Sequence, residues 1–490
     1  MRKLIFSLSL VFLANSLLAG QQYDLVLEAG RVMDPETGLD AVRNLGIRDG
    51  RIARISAEPL TGRRVVHAAG LAVAPGFIDL HQHGQELGSQ RVKAFDGVTT
   101  ALEMEIGAPD VTQFLKTKAG HSLIHYGTTA SHAAARALVF GAPLNAVAMD
   151  PRAGIPEILP KSGPATNQPA TPEQIERIRQ RLRDELDAGA LGVGMGIQYT
   201  PGATRLEVID MFRVAAERKL PVYTHMRSFG RLEPGSAIES VEEVIGAAAI
   251  TGAPLHIVHI NSTCLLDSLE CLSLVEGARA RGLDVTTEAY PYIAGMTAVN
   301  SALFNPGWRE KLGIDYSSLV LPDTGEHLTK ERFDELHNSS TQQSVLVFAT
   351  TQEMVDAVIP NPLVMIASDG ALGHPRNAGT YSRVLAQYVR EKRTLTLMEA
   401  LRKMTLMPAQ MLERSTPAAR RKGRLQEGAD ADIVVFDPQT ISDRSTFAAP
   451  MAPSVGVHYL LVGGTVLIDE GKLVADVYPG RGLLGPGKSR

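Results

Sequence analysis

Two histidines one residue apart close the apolar run Pro75-Gly76-Phe77-Ile78-Asp79-Leu80-His81-Gln82-His83. On a strand, alternate side chains share a face, so both imidazoles point the same way and can reach one metal ion. Three more residues of the right chemistry each end an apolar run. His225 closes Val222-Tyr223-Thr224-His225, His259 closes Leu255-His256-Ile257-Val258-His259, and Asp369 closes Val364-Met365-Ile366-Ala367-Ser368-Asp369. Any one of them alone reads more simply as a hydrogen-bonded core or edge residue. Their recurrence at strand ends is what points to a shared cation.

Two adjacent metals need a negative bridge. The run Gly192-Val193-Gly194-Met195-Gly196-Ile197-Gln198 offers no lysine for that purpose, whereas Thr99-Thr100-Ala101-Leu102-Glu103-Met104-Glu105-Ile106-Gly107 places two carboxylates on one face by strand parity. Glu105 lies nearer the end of the run and is the expected ligand. A carboxylate buried in an apolar strand is costly unless paired or metal-bound. Glu103 is expected behind it, hydrogen-bonded to a ligand histidine. Zinc suits such donors, at one or two ions per chain. It lowers the pKa of bound water toward 7 and polarises a carbonyl. Asp369 would then take the water proton and pass it to the departing nitrogen of an amide.

Residues so distant in the chain meet only if strands carry them to one rim. Eight apolar strands are expected at 77–83, 99–106, 125–131, 192–198, 222–227, 255–261, 285–292 and 363–369, alternating with helical patterns such as 172–188 and 240–251. That is an α/β fold, a (β/α)8 TIM-like barrel over residues 76–420, with its site at the carboxyl ends of the strands. An insertion at about 293–361 separates the last two strands and is expected to cover the site. Short alternating runs at both chain ends, residues 21–75 and 421–480, predict one composite β-sandwich.

The chain has 490 residues, 44% hydrophobic and 21% charged, with a formal net charge of −4 and no block of basic residues, so nucleic acid is not an expected partner. Met1-Arg2-Lys3, the apolar run from Leu4 to Leu13 and the small residues up to Ala19-Gly20 have the three-part pattern of a secretory signal over residues 1–20. Export, to a periplasm, with no stable membrane anchor after cleavage, is the expectation. The two cysteines, Cys264 and Cys271, fall in a stretch that reads as helix, where a rise of about 1.5 Å per residue would hold them too far apart to pair. Two buried free thiols are expected.

Taken in order, these residues resemble the amidohydrolase superfamily, and within it the D-aminoacylase branch of N-acyl-D-amino-acid deacylases. The resemblance spans nearly all of the chain after residue 20. Its most specific segments are Asp79-Leu80-His81-Gln82-His83, Asp96-Gly97-Val98-Thr99-Thr100, Thr224-His225-Met226-Arg227, Ala289-Tyr290-Pro291-Tyr292, Ser368-Asp369-Gly370 with His374-Pro375-Arg376, and Gly428-Ala429-Asp430-Ala431-Asp432. The resemblance implies zinc-dependent release of a carboxylic acid and a D-amino acid from a small N-acyl-D-amino acid, acidic ones such as N-acyl-D-glutamate included. It also implies that Arg376 holds the substrate carboxylate, that Tyr292 contacts the carboxylate or carbonyl oxygen, and that Arg227 is a second anchor. Guanidinium is a fork for carboxylate, and a phenol can donate to an oxyanion.

The sequence departs from that branch in two places. Glu105 stands where many members have a cysteine, and Asn261 where they often carry a lysine. Other readings are an amidohydrolase acting on cyclic amides or dipeptides, or a barrel that binds without catalysis. Of the remaining histidines, His132 ends the third strand, His256 has the parity of a helix-facing residue, and His374 is placed to orient the loop of Arg376.

Overall fold

The computed structural model describes residues 22–141, 163–339 and 341–487. The expected signal at 1–20 lies outside them. Among the described residues no helix is long and apolar enough to cross a membrane.

Seven parallel strands run in the spatial order Val364–Ile366, Val285–Ala289, Leu255–Ile257, Val222–His225, Val193–Gly196, Thr128–Ser131 and Glu103–Ala108. The eighth, Phe77–Asp79, pairs in parallel with Val98–Ala101. It closes the ring on the other side through His83 N to Gly370 O (2.8 Å), and Ser368 N donates to the Asp79 carboxylate (3.0 Å). The strands are shorter than the sequence pattern implies. Pairing past Asp79 continues only as single bridges at His81 and Gln82. Within each strand the faces alternate. Val222, Leu255, Ile257, Val285, Val364 and Ile366 pack outward against the helices, while Tyr223 and Met365 point into the ring beside Ile78, Leu102 and Met104.

Between the strands lie amphipathic helices with local stop and start signals. Pro172–Asp187 begins at a capping box formed by Thr171 and Gln174, with proline in its first turn. Ala237–Thr251 begins on the Ser236 cap and ends at Gly252 in the left-handed region.

Nine strands from the two chain ends form one continuous sheet, joined where Ala72–Pro75 runs antiparallel to Ile433–Phe436. The alternation of that join explains how the sheet serves two cores. Val73, Ile433 and Val435 face a core of their own with Leu27 and Leu45, whereas Ala72, Ala74, Val434 and Phe436 face the barrel. After the seventh barrel strand, Ala294–Ala298, Leu319–Val320 and Ser344–Phe348 make a small antiparallel sheet over Phe304, Trp308, Leu312 and Phe333.

The cysteines contradict the sequence expectation. Cys264 and Cys271 form a disulfide, with their Cα atoms 6.5 Å apart. The expectation assumed one continuous helix. In fact the helix Ile260–Cys264 stops, Leu265 takes a positive φ of 51°, and a second helix, Ser268–Ala280, starts in a new direction. That turn folds the two cysteines together.

Candidate functional site

At the carboxyl ends of the strands, His81, His83, Glu105, His225, His259 and Asp369 converge. Glu105 lies at the centre, and its two oxygens face two different groups. Oε2 is 3.2 Å from His81 Nε2 and 3.1 Å from His83 Nε2, while Oε1 is 2.5 Å from His225 Nδ1 and 3.0 Å from His259 Nε2. Asp369 Oδ1 completes the first group, at 3.1 Å from His83 Nε2 and 3.5 Å from His81 Nε2. The imidazoles also crowd one another, with Nε2 of His81 and His83 3.2 Å apart and His259 Nε2 3.1 Å from His225 Nδ1.

The spacings around His81 and His83 approach those of a metal's ligands, since donors at 2.0–2.2 Å from a tetrahedral ion stand about 3.3–3.6 Å from one another. The Glu105–His225 contact, by contrast, is a short hydrogen bond that an ion would have to spread. The outer nitrogens of the first pair are already engaged: His81 Nδ1 with Glu288 at 2.7 Å and His83 Nδ1 with Glu103 at 2.9 Å. With those nitrogens donating, the facing Nε2 atoms present lone pairs to each other, which only a shared cation or an added proton makes favourable. The electrostatics point the same way. Burial opposes charge on His81, but Asp369 and Glu105 hold its pKa up at about 10. His83 is raised for the same kind of reason, with Glu103 and Asp369 prevailing over burial. Burial also opposes ionisation of Glu105 and Asp369. Both are nevertheless held below the usual carboxylate range, Glu105 by His225 and His81, Asp369 by Arg376 and His81. A divalent ion supplies the positive charge that protons would otherwise bring. His81, His83 and Asp369 could hold one such ion and His81, Glu105 and His259 another, with His225 facing Glu105 beside the second group.

Backbone strain marks the same place. His259 and Asp369 have positive φ, 30° and 49°, a region that side chains avoid unless the surroundings enforce it. Because the strand Leu255–Ile257 ends before His259, strand parity does not apply there. His256, expected on the helix side, instead points inward, where its Nε2 is 3.0 Å from Glu288. Glu288 therefore spans His81 and His256 and is held at about 2, where the two imidazoles outweigh burial. Glu288 is not among the residues the sequence singled out: its strand, Val285–Ala289, carries two threonines beside it and so offers no apolar run in which a carboxylate is conspicuous.

The expected substrate contacts are dispersed. Tyr292 lines the cavity above the cluster, together with Tyr199 and Tyr290, neither of which the sequence had singled out for a role. Arg376 is 1% exposed, lies 4.6 Å above the Tyr290 ring and places Nη1 2.8 Å from Asp369 Oδ2; its Nε has no hydrogen-bond acceptor. His374 positions it, accepting from the Arg376 backbone N–H at 3.0 Å. Arg227 does not reach this cavity. Its guanidinium forks onto Glu243 at 2.8 and 2.7 Å and borders a neighbouring cavity. His132 is buried against Glu207 and Arg136, away from the cluster.

The chain matches the model of the amidohydrolase family over residues 64–468. It is 31% identical to an N-acyl-D-glutamate deacylase of Alcaligenes xylosoxydans xylosoxydans, over 92% of this chain and 94% of that protein. A D-aminoacylase of the same organism is 29% identical, over 92% and 95%. A crystal structure of an N-acyl-D-glutamate deacylase from Bordetella bronchiseptica, complexed with zinc and a phosphonate mimic of the reaction's tetrahedral intermediate, superposes with a TM-score of 0.79. It is 26% identical and covers 95% of this chain and 100% of that one.

Proposed function

The chain belongs to the amidohydrolase family, and from that premise we propose that it hydrolyses the amide bond of N-acyl-D-amino acids with zinc, releasing a carboxylic acid and a D-amino acid. The observation that carries this reading is Glu105, whose two oxygens lie within 3.2 Å of four imidazole nitrogens at the floor of a cavity. Zinc, when bound, supplies Lewis-acid polarisation of the carbonyl and hydroxide at neutral pH. The protein's own groups do the rest. Asp369 is ionised at neutral pH and lies at the cavity floor, so it takes the proton of the attacking water and delivers it to the nitrogen as the C–N bond breaks. Glu103 and Glu288 fix the rings of His83 and His81. Arg376, with a free Nε beside Asp369, takes the α-carboxylate of the amino acid. The D configuration rests on the relatives alone.

The test is hydrolysis of matched N-acetyl-D- and N-acetyl-L-amino acids by protein of measured zinc content. The D series should be turned over, a chelator should abolish the activity and added zinc restore it. Asp369→Ala should lower kcat by about 10²- to 10⁴-fold. Turnover of the L series equal to or greater than that of the D series overturns the assignment. Export belongs to the same reading and is supported by the Cys264–Cys271 disulfide, a bond favoured in oxidising compartments. Recovery of the protein from the cytoplasmic fraction of its host would count against it.

A further inference from the structure

The cavity over the candidate metal cluster is lined by no lysine or arginine among the described residues. Its polar side chains are those of the cluster, the neutral Asn261, Ser262, Thr297 and Thr350, and three tyrosines. Its upper wall is apolar, built from Phe229, Leu265, Leu303, Leu312 and Val347. Two arginines stand directly behind that lining: Arg376, 4.6 Å over the Tyr290 ring and paired with Asp369, which faces the cavity, and Arg383, 4.6 Å over the Tyr292 ring and committed to Asp443, which does not. Arg227 and Lys311 border a second cavity on the far side of Phe229, Leu303 and Leu312, which wall both spaces. Arg227 is in any case committed to Glu243.

We infer that this enzyme selects substrates with a single negative charge, the carboxylate taken by Arg376, and that both the side chain and the acyl group it accepts are uncharged, an aliphatic or aromatic group packing against Leu265, Leu303, Leu312 and Val347. This rests on the deacylase reading above and narrows it. An acidic N-acyl-D-amino acid carries two carboxylates. The second would leave water for an apolar wall where the described residues offer no cation to meet it, next to the negative Glu105 and Asp369, and an unpaired buried charge is the costliest group a site can take up. An apolar side chain there is favoured by the area it removes from water. The chain thus parts in specificity from the glutamate deacylases to which it is similar.

The experiment compares kcat/KM of the zinc-loaded full chain for N-acetyl-D-leucine, N-acetyl-D-glutamine and N-acetyl-D-glutamate. Glutamine and glutamate have nearly the same shape, so their ratio isolates the charge. Leucine should be the best substrate, and glutamate should fall below glutamine by at least about 100-fold. Glutamate within a few-fold of glutamine overturns the inference and leaves the deacylase reading standing. No turnover of any of the three overturns the deacylase reading and the inference with it. Leu303→Arg, at a half-buried position on the wall, should raise the glutamate-to-glutamine ratio by about tenfold. An unchanged ratio in a folded variant would count against the wall as the selecting element.

Discussion

Glu288 does not line the cavity over the cluster, yet one of its oxygens holds His81 Nδ1 and the other holds His256 Nε2, which is in turn 2.8 Å from Thr286 through Nδ1. This chain of contacts fixes the ring plane of His81 and leaves its Nε2 free as a ligand. Glu288→Gln keeps the shape but can accept from only one ring through its carbonyl oxygen, so His81 loses its orientation and some basicity. Metal affinity should fall by about 10- to 100-fold. Competition with a chromogenic chelator measures this directly, and unchanged affinity would remove Glu288 from the site. Parity along an apolar strand was enough to find Glu105, because a carboxylate in such a strand must have a partner. Val285–Ala289, with two threonines, is not such a strand, and Glu288 emerges only from its contacts with His81 and His256. What misled the reading of His256 was the assumption that the strand runs on to His259.

The elements matter through where they stop and how closely they approach. Gly194 lies in the strand Val193–Gly196, and a Cβ there would stand 2.6 Å from the carbonyl oxygen of Glu105 and 2.4 Å from Thr129 Oγ1. Only glycine lets this strand come so near the backbone that carries the central carboxylate. Gly194→Ala should push Glu105 away from the histidines, costing about 1–3 kcal/mol of stability by overpacking. It should also lower the zinc retained per chain. Thermal unfolding and metal analysis of the variant check both, and a fully loaded protein would show that the close approach is not needed. On the opposite side, the turn after Leu255–Ile257 delivers His259, with Thr263 Oγ1 3.2 Å from its Nδ1 and the disulfide closing the turn just beyond. Helix propensity in this stretch is real, and both halves are helical. The break at Leu265 is a tertiary event that local pattern does not encode.

At the scale of the whole molecule, the sheet and the chain end brace the barrel from outside. Asp432 accepts from His125 Nε2 at 2.9 Å and from Lys422 Nζ at 2.5 Å, tying the sheet to a residue at the edge of the ring. The tail then runs under the barrel. Gly480 N donates to Ser122 O, Leu483 N to Tyr126 O and Gly485 N to Gly189 O, and Leu483 is 3% exposed among the ring's inward side chains. Deleting residues 480–490 should destabilise the protein by at least about 3 kcal/mol, the cost of losing one buried leucine with its surroundings. KM should not change, because the tail lies away from the cavity. Denaturant unfolding and steady-state kinetics separate the two effects, and a large rise in KM would place the tail in communication with the site.

From the sequence alone came the barrel, the joining of the two chain ends in one β domain, expected as a sandwich and found as one continuous sheet, and the set of histidines and carboxylates that could meet a cation. Each of these follows from a period of two or of 3.6 residues, or from the cost of burying a charge, and such rules act along the chain. The disulfide, the inward turn of His256, the committed state of Arg227 and the absence of any lysine or arginine from the described cavity wall depend on where strands end and which side chains close space brings together. No local pattern records such distances, so only the tertiary structure decided them.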